Sequence, residues 1–502
     1  MSSNIRRQSI ISSLVIYLGF AVGLLNTYLF AKEGYFTPQE YGLTGVFLAV
    51  AMLIASLSTL GMPGYIYKFY PYYSNNLNPR QNDMITWAVL VGMVGFGLIT
   101  VLGLVFQDVV VRKYGGNSPL FVQYYYWVYP LSLGLTIYNI LEAYAWSLHK
   151  SIFTNFLREV QWRLSVTVLI VLFIFKVIPD FDTFIKLFSF TYPGIAITLL
   201  GYLVFTKKIH FTFKISKISR RFINIIARFC TYIYGATIVS TLSLVFDQLV
   251  IASVLDNGLQ KAAIFTLAQH MSSMVQAPQR SIVAASIPHL SQAWKDKNLG
   301  LIQRIYQRSS INLLIFSLFI FILIAVNYQQ AVITFRLNPE FLAGFTVFLI
   351  LGLKIVIDLG TGVNAQIIGT SNYWRFELIS GMILLLLTLP LSYIFAKQYG
   401  IIGPSIAQLI SFTIYNAIRL VFLWKKFKLQ PFTRKTLYTL LLAVFVFITS
   451  WLLFDKMQGW AGLFVRSTYA VGLFITGVVL LKLTPDLRPV LDTITKRLNL
   501  KK

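Results

Sequence analysis

The chain has 502 residues, of which 57% are hydrophobic and only 12% are charged, and its formal net charge at pH 7 is +26. Soluble domains carry about 25% charged residues, so this composition excludes an ordinary soluble enzyme. The apolar residues fall in repeated runs of roughly eighteen or more, each long enough to cross a hydrocarbon core of ~30 Å. The sequence therefore predicts an all-α, polytopic membrane protein.

The sequence lacks the common motifs of catalytic and cofactor-binding sites. Its single cysteine, Cys230, excludes an internal disulfide and a cysteine-based metal site. We find no P-loop, no dinucleotide-binding fingerprint and no H-E-x-x-H motif. We therefore expect no enzymatic activity, no metal and no cofactor, so that H⁺ or Na⁺ would act only as a transported ion.

Fourteen membrane spans are predicted from the apolar runs between polar breaks. In chain order they are 10–31, 41–62, 84–106, 119–146, 159–178, 184–205, 230–253, 262–288, 311–334, 342–366, 378–395, 402–423, 437–454 and 467–481. The connections predicted to be cytoplasmic contain 29 of the 43 lysines and arginines, and the opposite side contains nine, counting Lys176 at the outer end of span 159–178. This positive-inside asymmetry places both termini in the cytoplasm. The net positive charge then indicates contact with anionic headgroups rather than nucleic-acid binding.

The first twelve spans form an internal repeat, because spans 7–12 follow spans 1–6 at offsets of 218 to 227 residues. Each half has an even number of spans, which predicts two parallel six-helix lobes. The predicted organisation is an N-lobe at 1–205, a basic cytoplasmic linker at 206–229 and a C-lobe at 230–425. Residues 426–502 then supply two extra helices and a basic cytoplasmic tail.

Two segments carry a family resemblance. The first, at residues 29–71, reads LFAKEGYFTPQEYGLTGVFLAVAMLIASLSTLGMPGYIYKFYP. With its TPQEYGL turn and its LGMP followed by Lys68, it resembles the first hairpin of bacterial polysaccharide flippases, in which many members have arginine at that basic position. The second comprises spans 7 and 8, where the family's aspartate falls on Asp247 and its proline on Pro288. These Wzx-like oligosaccharide exporters belong to the multidrug/oligosaccharidyl-lipid/polysaccharide (MOP) superfamily.

The resemblance implies a MATE-like fold and alternating access in the bacterial inner membrane. The implied substrate is a lipid diphosphate-linked oligosaccharide, such as an O-antigen, capsule or exopolysaccharide unit. The implied partners are membrane lipids and polysaccharide polymerase or assembly proteins, and we expect a monomer that binds no nucleic acid. Within the superfamily, a flippase for the peptidoglycan precursor lipid II and a cation-coupled drug exporter are alternatives. A membrane-embedded glycan polymerase or ligase is the alternative from another class.

Basic residues that lie deep within the predicted membrane spans favour an anionic substrate. Apart from Lys176 at the end of span 159–178, those within predicted spans are Arg163, Lys186, Arg280, Lys354 and Arg419. Lys186 and Arg419 lie near span ends, where we expect their long side chains to snorkel to the interface. Lys354 lies near mid-membrane, where a charge must face a water-filled cavity or a counter-charge. We expect the diphosphate to be bound by Lys354, Arg280, Arg163, Arg158 and Lys68.

Acidic and polar residues within spans are the candidates for ion coupling or for lining a cavity: Asp247, Asp358, Asn26, His270 and Glu142. Asp358 lies one helical turn from Lys354, so the two form either a packing pair or a pair that substrate can rearrange. Asp247 is either a structural carboxylate or a coupling site for H⁺ or Na⁺. Glu142 can pair with Arg158 or Arg163. The aromatic run 123–130 suits an interfacial belt better than a sugar-binding surface.

Overall fold

The computed structural model describes residues 2–276 and 279–484, and side chains from residue 15 onward except those of Arg280, Ser281, Ala284 and Trp374. The chain divides into two compact units, Met1–Ala263 (unit 1) and Ile264–Lys502 (unit 2). Within unit 1 the helices are α1 (Ser2–Ala31), α2 (Pro38–Ser58), α3 (Met62–Asn76), α4 (Met84–Val105), α5 (Gln107–Tyr114), α6 (Pro119–Gln123), α7 (Val128–Ser147), α8 (Ser151–Asn155), α9 (Trp162–Ile174), α10 (Phe181–Ser189), α11 (Thr191–Phe205) and α12 (Lys217–Val254).

The chain continues through α13 (Gly258–Val275), which begins at the end of unit 1. The remaining helices are α14 (Gln279–Lys295), α15 (Leu299–Thr334), α16 (Gly344–Gly360), α17 (Asn364–Gly369), α18 (Trp374–Tyr399), α19 (Ile402–Phe427), α20 (Arg434–Phe454) and α21 (Gly459–Leu480). A π-helical turn, Phe156–Gln161, joins α8 to α9.

All fourteen predicted spans fall on helices, which confirms the all-α membrane architecture. Among the described residues, ten helical stretches are long and apolar enough to cross a membrane. The predicted spans 119–146, 159–178 and 262–288 instead lie on interrupted helices. Where its side chains are described, the first predicted span is the apolar helical stretch Val15–Ala31. The breaks are a 3₁₀ turn at Tyr125–Trp127, the π-helical turn at Phe156–Gln161 and a turn at Gln276, which hydropathy alone does not resolve.

The hairpin that carries the family resemblance is shaped by local sequence. Thr37 caps α2 by accepting a hydrogen bond from the Glu40 N–H, and the Glu40 carboxylate accepts one from the Thr37 N–H. This reciprocal capping box fixes the start of the helix. The other end breaks at Gly61, whose φ of +78° suits glycine, and where a Cβ would lie 2.7 Å from the carbonyl oxygen of Cys230. The chain therefore turns sharply before α3.

The predicted linker is tied to unit 1 by a buried carboxylate. Asp83 accepts hydrogen bonds at Oδ2 from the Ser216 N–H and the Ser219 hydroxyl, both at 2.8 Å. The Ser219 hydroxyl is also 2.7 Å from the hydroxyl of Tyr73 on α3. Residues 217–229 of the predicted linker are helical, since α12 begins at Lys217. The start of this long helix is therefore held against α3 and the start of α4.

Helix α12 packs along α2 within unit 1. Its C-terminal end accepts hydrogen bonds from the connection between α5 and α6: Asn117 Nδ2 donates to the Ser253 carbonyl at 2.9 Å and Ser118 Oγ to the Ala252 carbonyl at 2.6 Å. The compact units therefore group residues 230–263 with unit 1. The lobes at 1–205 and 230–425 are defined by the repeat rather than by packing, and they stay a prediction.

The two helices beyond the repeat pack against α15 in unit 2. Leu314 and Ile322 of α15 share one apolar core with Val446 of α20 and Phe474 of α21. Arg466 of α21 also donates to the Val326 carbonyl at 2.7 Å, which fastens α21 to α15. The hairpin is therefore an integral part of unit 2.

Candidate functional site

Each unit contains a cluster of charged and polar side chains that includes predicted site residues. The N-cluster, in unit 1, consists of Asn26, Glu142, Arg158, Glu159, Arg163 and Thr167. The C-cluster, in unit 2, consists of Lys354, Asp358, Thr361, Asn364, Glu377, Asn416 and Arg419. Each cluster is described by itself.

The N-cluster is built around the ion pair of Glu142 and Arg158, in which Nη1 lies 3.0 Å from Oε2. The Glu142 side chain is 7% exposed, whereas that of Arg158 is 40% exposed. The Tyr138 hydroxyl, one turn before Glu142 on α7, lies 3.4 Å from Oε1 and donates to the Thr154 carbonyl at 2.8 Å. The buried Glu142 carboxylate thus binds one side of the Arg158 guanidinium, and the other side of the guanidinium is exposed. An arginine held in this way keeps donors available for an anion.

The rest of the N-cluster lies in the π-helical turn, on α9 and on α1. Glu159, within the turn, pairs with Arg163 at 3.0 Å. Asn26 Nδ2 donates to the Arg163 carbonyl at 2.8 Å, and Thr167 donates to Asn26 Oδ1 at 2.6 Å. Asn26 therefore joins α1 to α9 with both ends of its amide bonded. Single π-helical turns are often found at functional sites.

The C-cluster has Asn416 at its centre. Its Nδ2 donates to Asp358 Oδ1 at 2.9 Å, and its Oδ1 accepts from Thr361 Oγ1 and Asn364 Nδ2, each at 3.0 Å. Arg419, one turn further along α19, forms an ion pair with Glu377 of α18. Since Asp358 and Glu377 balance Lys354 and Arg419, the cluster is formally neutral.

Lys354 lies half-buried on α16 above an aromatic ring. Its Nζ is 4.1 Å from the centre of the Phe412 ring, a cation–π distance. Asp358, one turn along the same helix, receives the Asn416 hydrogen bond. Asp358 therefore belongs to the polar network around Asn416, and Lys354 lies one turn before it on the same helix.

Comparison with known proteins identifies the family. The model of the family described as polysaccharide biosynthesis protein matches residues 5–294, more than half of the chain. The chain belongs to this polysaccharide biosynthesis protein family. A search of curated proteins found no matching sequence.

Solved structures show which fold this family member has. A structure of the lipid II flippase MurJ in an inward closed conformation matches with a TM-score of 0.75 at 14% identity, over 94% of this chain and 98% of that one. An inward-facing MATE-family multidrug resistance transporter of the MOP superfamily matches with a TM-score of 0.65 at 14% identity, over 84% and 97%. A MOP superfamily transporter from Pyrococcus furiosus matches with a TM-score of 0.52 at 15% identity, over 84% and 95%. The predicted MATE-like fold is confirmed, and this is a multi-pass membrane protein.

The structure of this polysaccharide biosynthesis protein separates the predicted site residues by unit. Unit 1 contains Lys68, Arg158, Arg163, Asn26, Glu142 and Asp247, and unit 2 contains Lys354, Asp358, His270 and Arg280. It brings Glu142 to Arg158 and Asn26 to Arg163. Asp247 is buried on α12, and His270 is exposed on α13. Arg280 is the second residue of α14, but its side chain lies outside the described residues.

The prediction that Arg419 snorkels to the interface is wrong. Its side chain is 4% exposed because Glu377 neutralises it inside the unit. Sequence reasoning also missed Glu377, Asn416 and Asn364, which only packing of α16–α19 brings together. The i,i+3 spacing of Asn416 and Arg419 was the available signal, because it puts both side chains on one helix face.

Proposed function

We propose that this family member is a flippase for a lipid diphosphate-linked oligosaccharide in the bacterial inner membrane. It works by alternating access, with both termini in the cytoplasm, on an O-antigen, capsule or exopolysaccharide unit. The proposal is supported by the family, by the transporter fold and by one observation in the N-cluster. There, Glu142 is shielded while its partner Arg158 keeps 40% of its side chain exposed.

The diphosphate is the part of the substrate that Arg158 recognises. A guanidinium presents a planar fork of donors that suits phosphate oxygens, and such charge-assisted hydrogen bonds are about twice as strong as neutral ones. Lys68 supports it from α3, where it is exposed with its Nζ 4.0 Å from the Phe229 ring centre. We assign Arg163 to a supporting role, since Glu159 already pairs with it.

We propose that the C-cluster and Asp247 couple transport to an ion gradient. Lys354 attracts the diphosphate, and Asp358 returns the pair to neutrality when substrate leaves. Asp247 is a buried carboxylate within a predicted span, where ionisable residues usually serve transport. Protonation or Na⁺ binding at Asp247 or Asp358 would couple transport to a gradient. We assign Asn26 to helix packing and give His270 no part in coupling.

Lipid II is the second candidate substrate. The MurJ structure covers 94% of this chain, whereas the MATE structures cover 84%, so more of this chain has a counterpart in the lipid II flippase. The N-cluster fits either diphosphate-linked glycan. A cationic drug fits less well, because the most exposed charged side chain of the cluster, that of Arg158, is positive.

Purified protein in proteoliposomes tests the proposal. The probes are a fluorophore-labelled undecaprenyl diphosphate-linked oligosaccharide and a fluorophore-labelled lipid II, with dithionite added outside to bleach the accessible leaflet. We expect complete bleaching of the oligosaccharide lipid with the wild type and bleaching about ten- to a hundredfold slower in Arg158→Ala. The control Lys186→Ala, whose Nζ pairs with Asp182 at 2.5 Å on α10, should behave as the wild type. Movement of lipid II alone favours the second candidate. Movement of neither lipid by folded protein contradicts both.

A further inference from the structure

An exposed aromatic pair lies beside the N-cluster. The rings of Tyr67 on α3 and Trp146 on α7 are 6.0 Å apart at 36°, with 47% and 42% of each residue exposed. Their neighbours are charged, since Tyr67 lies within electrostatic range of Glu142 and Arg158. Lys68 follows Tyr67 in the chain. Large aromatic surface left open next to cations indicates a binding surface.

Trp146 is held by α8, which runs directly into the π-helical turn that carries Arg158. Its Nε1 donates to Thr154 Oγ1 at 2.7 Å. Trp146 follows Glu142 by four residues, and Arg158 follows Thr154 by four, so each pair lies along one helix face. The Trp146–Thr154 hydrogen bond and the Glu142–Arg158 ion pair therefore join the same two segments one turn apart. Trp146 thus lies about 6 Å along α7 from Glu142, the ion-pair partner of Arg158.

We propose that Tyr67 and Trp146 form a stacking platform for the sugar ring attached directly to the diphosphate. The proposal rests on the proposed function, in which Arg158 binds the phosphate. A pyranose presents a face of slightly positive C–H groups, which pack against the negative face of an aromatic ring. The platform lies one helical turn from the phosphate-binding position, which suits a sugar linked to a phosphate through its anomeric oxygen. The platform therefore recognises the first sugar, whatever follows it.

The aromatic run at 123–130 offers no comparable surface. Tyr124, Tyr125 and Tyr129 are buried. The Tyr129 hydroxyl donates to that of Tyr125 at 2.7 Å, so these rings are committed to packing within unit 1. Tyr126 is exposed, and its hydroxyl donates to Gln107 at 2.6 Å. Of these four tyrosines, only the exposed Tyr126 suits an interfacial belt.

Binding to full-length protein in detergent, measured by native mass spectrometry, tests the platform. The probes are farnesyl diphosphate and farnesyl diphosphate linked to glucose, galactose or N-acetylglucosamine. We expect the wild type to bind at least one glycosylated probe about three- to tenfold more tightly than the bare diphosphate. Trp146→Leu and Tyr67→Leu should abolish that preference and leave the affinity for farnesyl diphosphate unchanged. Arg158→Ala should weaken all probes.

Two variants separate stacking from support of the fold. Trp146→Phe keeps a ring but loses the hydrogen bond to Thr154, and it should keep most of the preference. Trp451→Leu replaces an exposed tryptophan on α20 and should change nothing. Equal wild-type affinity for bare and glycosylated probes, or an unchanged preference in Trp146→Leu, would overturn the platform. If the wild type bound no probe at all, the proposed function itself would fail.

Discussion

Arg419 and Glu377 form an ion pair inside unit 2, with the arginine side chain 4% exposed and the glutamate side chain 28% exposed. The pair joins α18 to α19. The guanidinium carbon also lies 3.6 Å from the centre of the Tyr415 ring, so the charge is offset on more than one side. Packing of these two helices therefore depends on both charged partners.

Removing one partner of this pair should destabilise the protein more than removing both. Arg419→Met leaves the glutamate uncompensated, and we expect a loss of about 3–5 kcal/mol in unfolding free energy. Arg419→Met combined with Glu377→Met should be close to neutral. Thermal unfolding in detergent measures both, with Lys186→Ala as the exposed-pair control. Equal stability of the single and double variants would contradict a buried pair.

Span positions were predictable because hydropathy and charge asymmetry are properties of the chain itself. The helix face that each polar residue occupies was not. Arg419 seemed able to reach the interface because its sequence position says nothing about Glu377, 42 residues earlier on another helix. The pairing of Glu142 with Arg158 was predictable in part, since both lie near the predicted cytoplasmic ends of consecutive spans. The π-helical turn at Phe156–Gln161 left no signal in the hydropathy pattern.

Arg158→Ala should lower transport about ten- to a hundredfold, which corresponds to the loss of a hydrogen bond to a charged group. Arg158→Lys should retain part of the activity, because it keeps the charge but loses the fork of donors. Since Arg158→Ala also leaves Glu142 unpaired, the matched variant is Arg158→Ala with Glu142→Gln. The measurement is the transport rate of each variant in proteoliposomes that contain equal amounts of folded protein. Full activity of the matched variant would remove Arg158 from the substrate site.

Gly42→Ala should destabilise the protein by about 1–3 kcal/mol. A Cβ at Gly42 would overlap the carbonyl oxygen of Leu259, so α2 must move away from the start of α13. Gly97→Ala on α4 is the control, since a Cβ there meets nothing within 4 Å and should be tolerated. Thermal unfolding of both variants measures the difference. An unchanged midpoint in Gly42→Ala would show that the close approach is not needed.

The orientation is tested with reporter fusions. A reporter active only outside the cytoplasm should be active after residues in three predicted outer connections: Gly34, Gly116 and Gly258. A reporter active only inside should be active after three predicted cytoplasmic positions: Ser219, Asp296 and Lys428. Outside activity at Ser219 would reverse the assignment, because the basic linker would then lie on the wrong side for parallel repeats.

Lys354 and Asp358 can be separated into a packing role and a transport role. Lys354→Met alone leaves the half-buried Asp358 without its predicted counter-charge, and should lower both folded yield and transport. The double variant Lys354→Met, Asp358→Leu removes both charges. It also removes the acceptor of one Asn416 hydrogen bond, but Asn416 Nδ2 donates to the Phe412 carbonyl at 3.0 Å as well. The amide therefore keeps a partner, and we expect the double variant to fold.

If Lys354 attracts the diphosphate, the folded double variant should transport the lipid-linked oligosaccharide about tenfold more slowly than the wild type or worse. Folded yield is measured by size-exclusion chromatography, and transport by dithionite bleaching in proteoliposomes. Asp358→Asn is the matched control, because it keeps an acceptor for Asn416 and removes only the negative charge. Transport at the wild-type rate by the double variant would make the pair a packing device. The diphosphate would then be bound by Arg158 and Lys68 in unit 1 without help from Lys354.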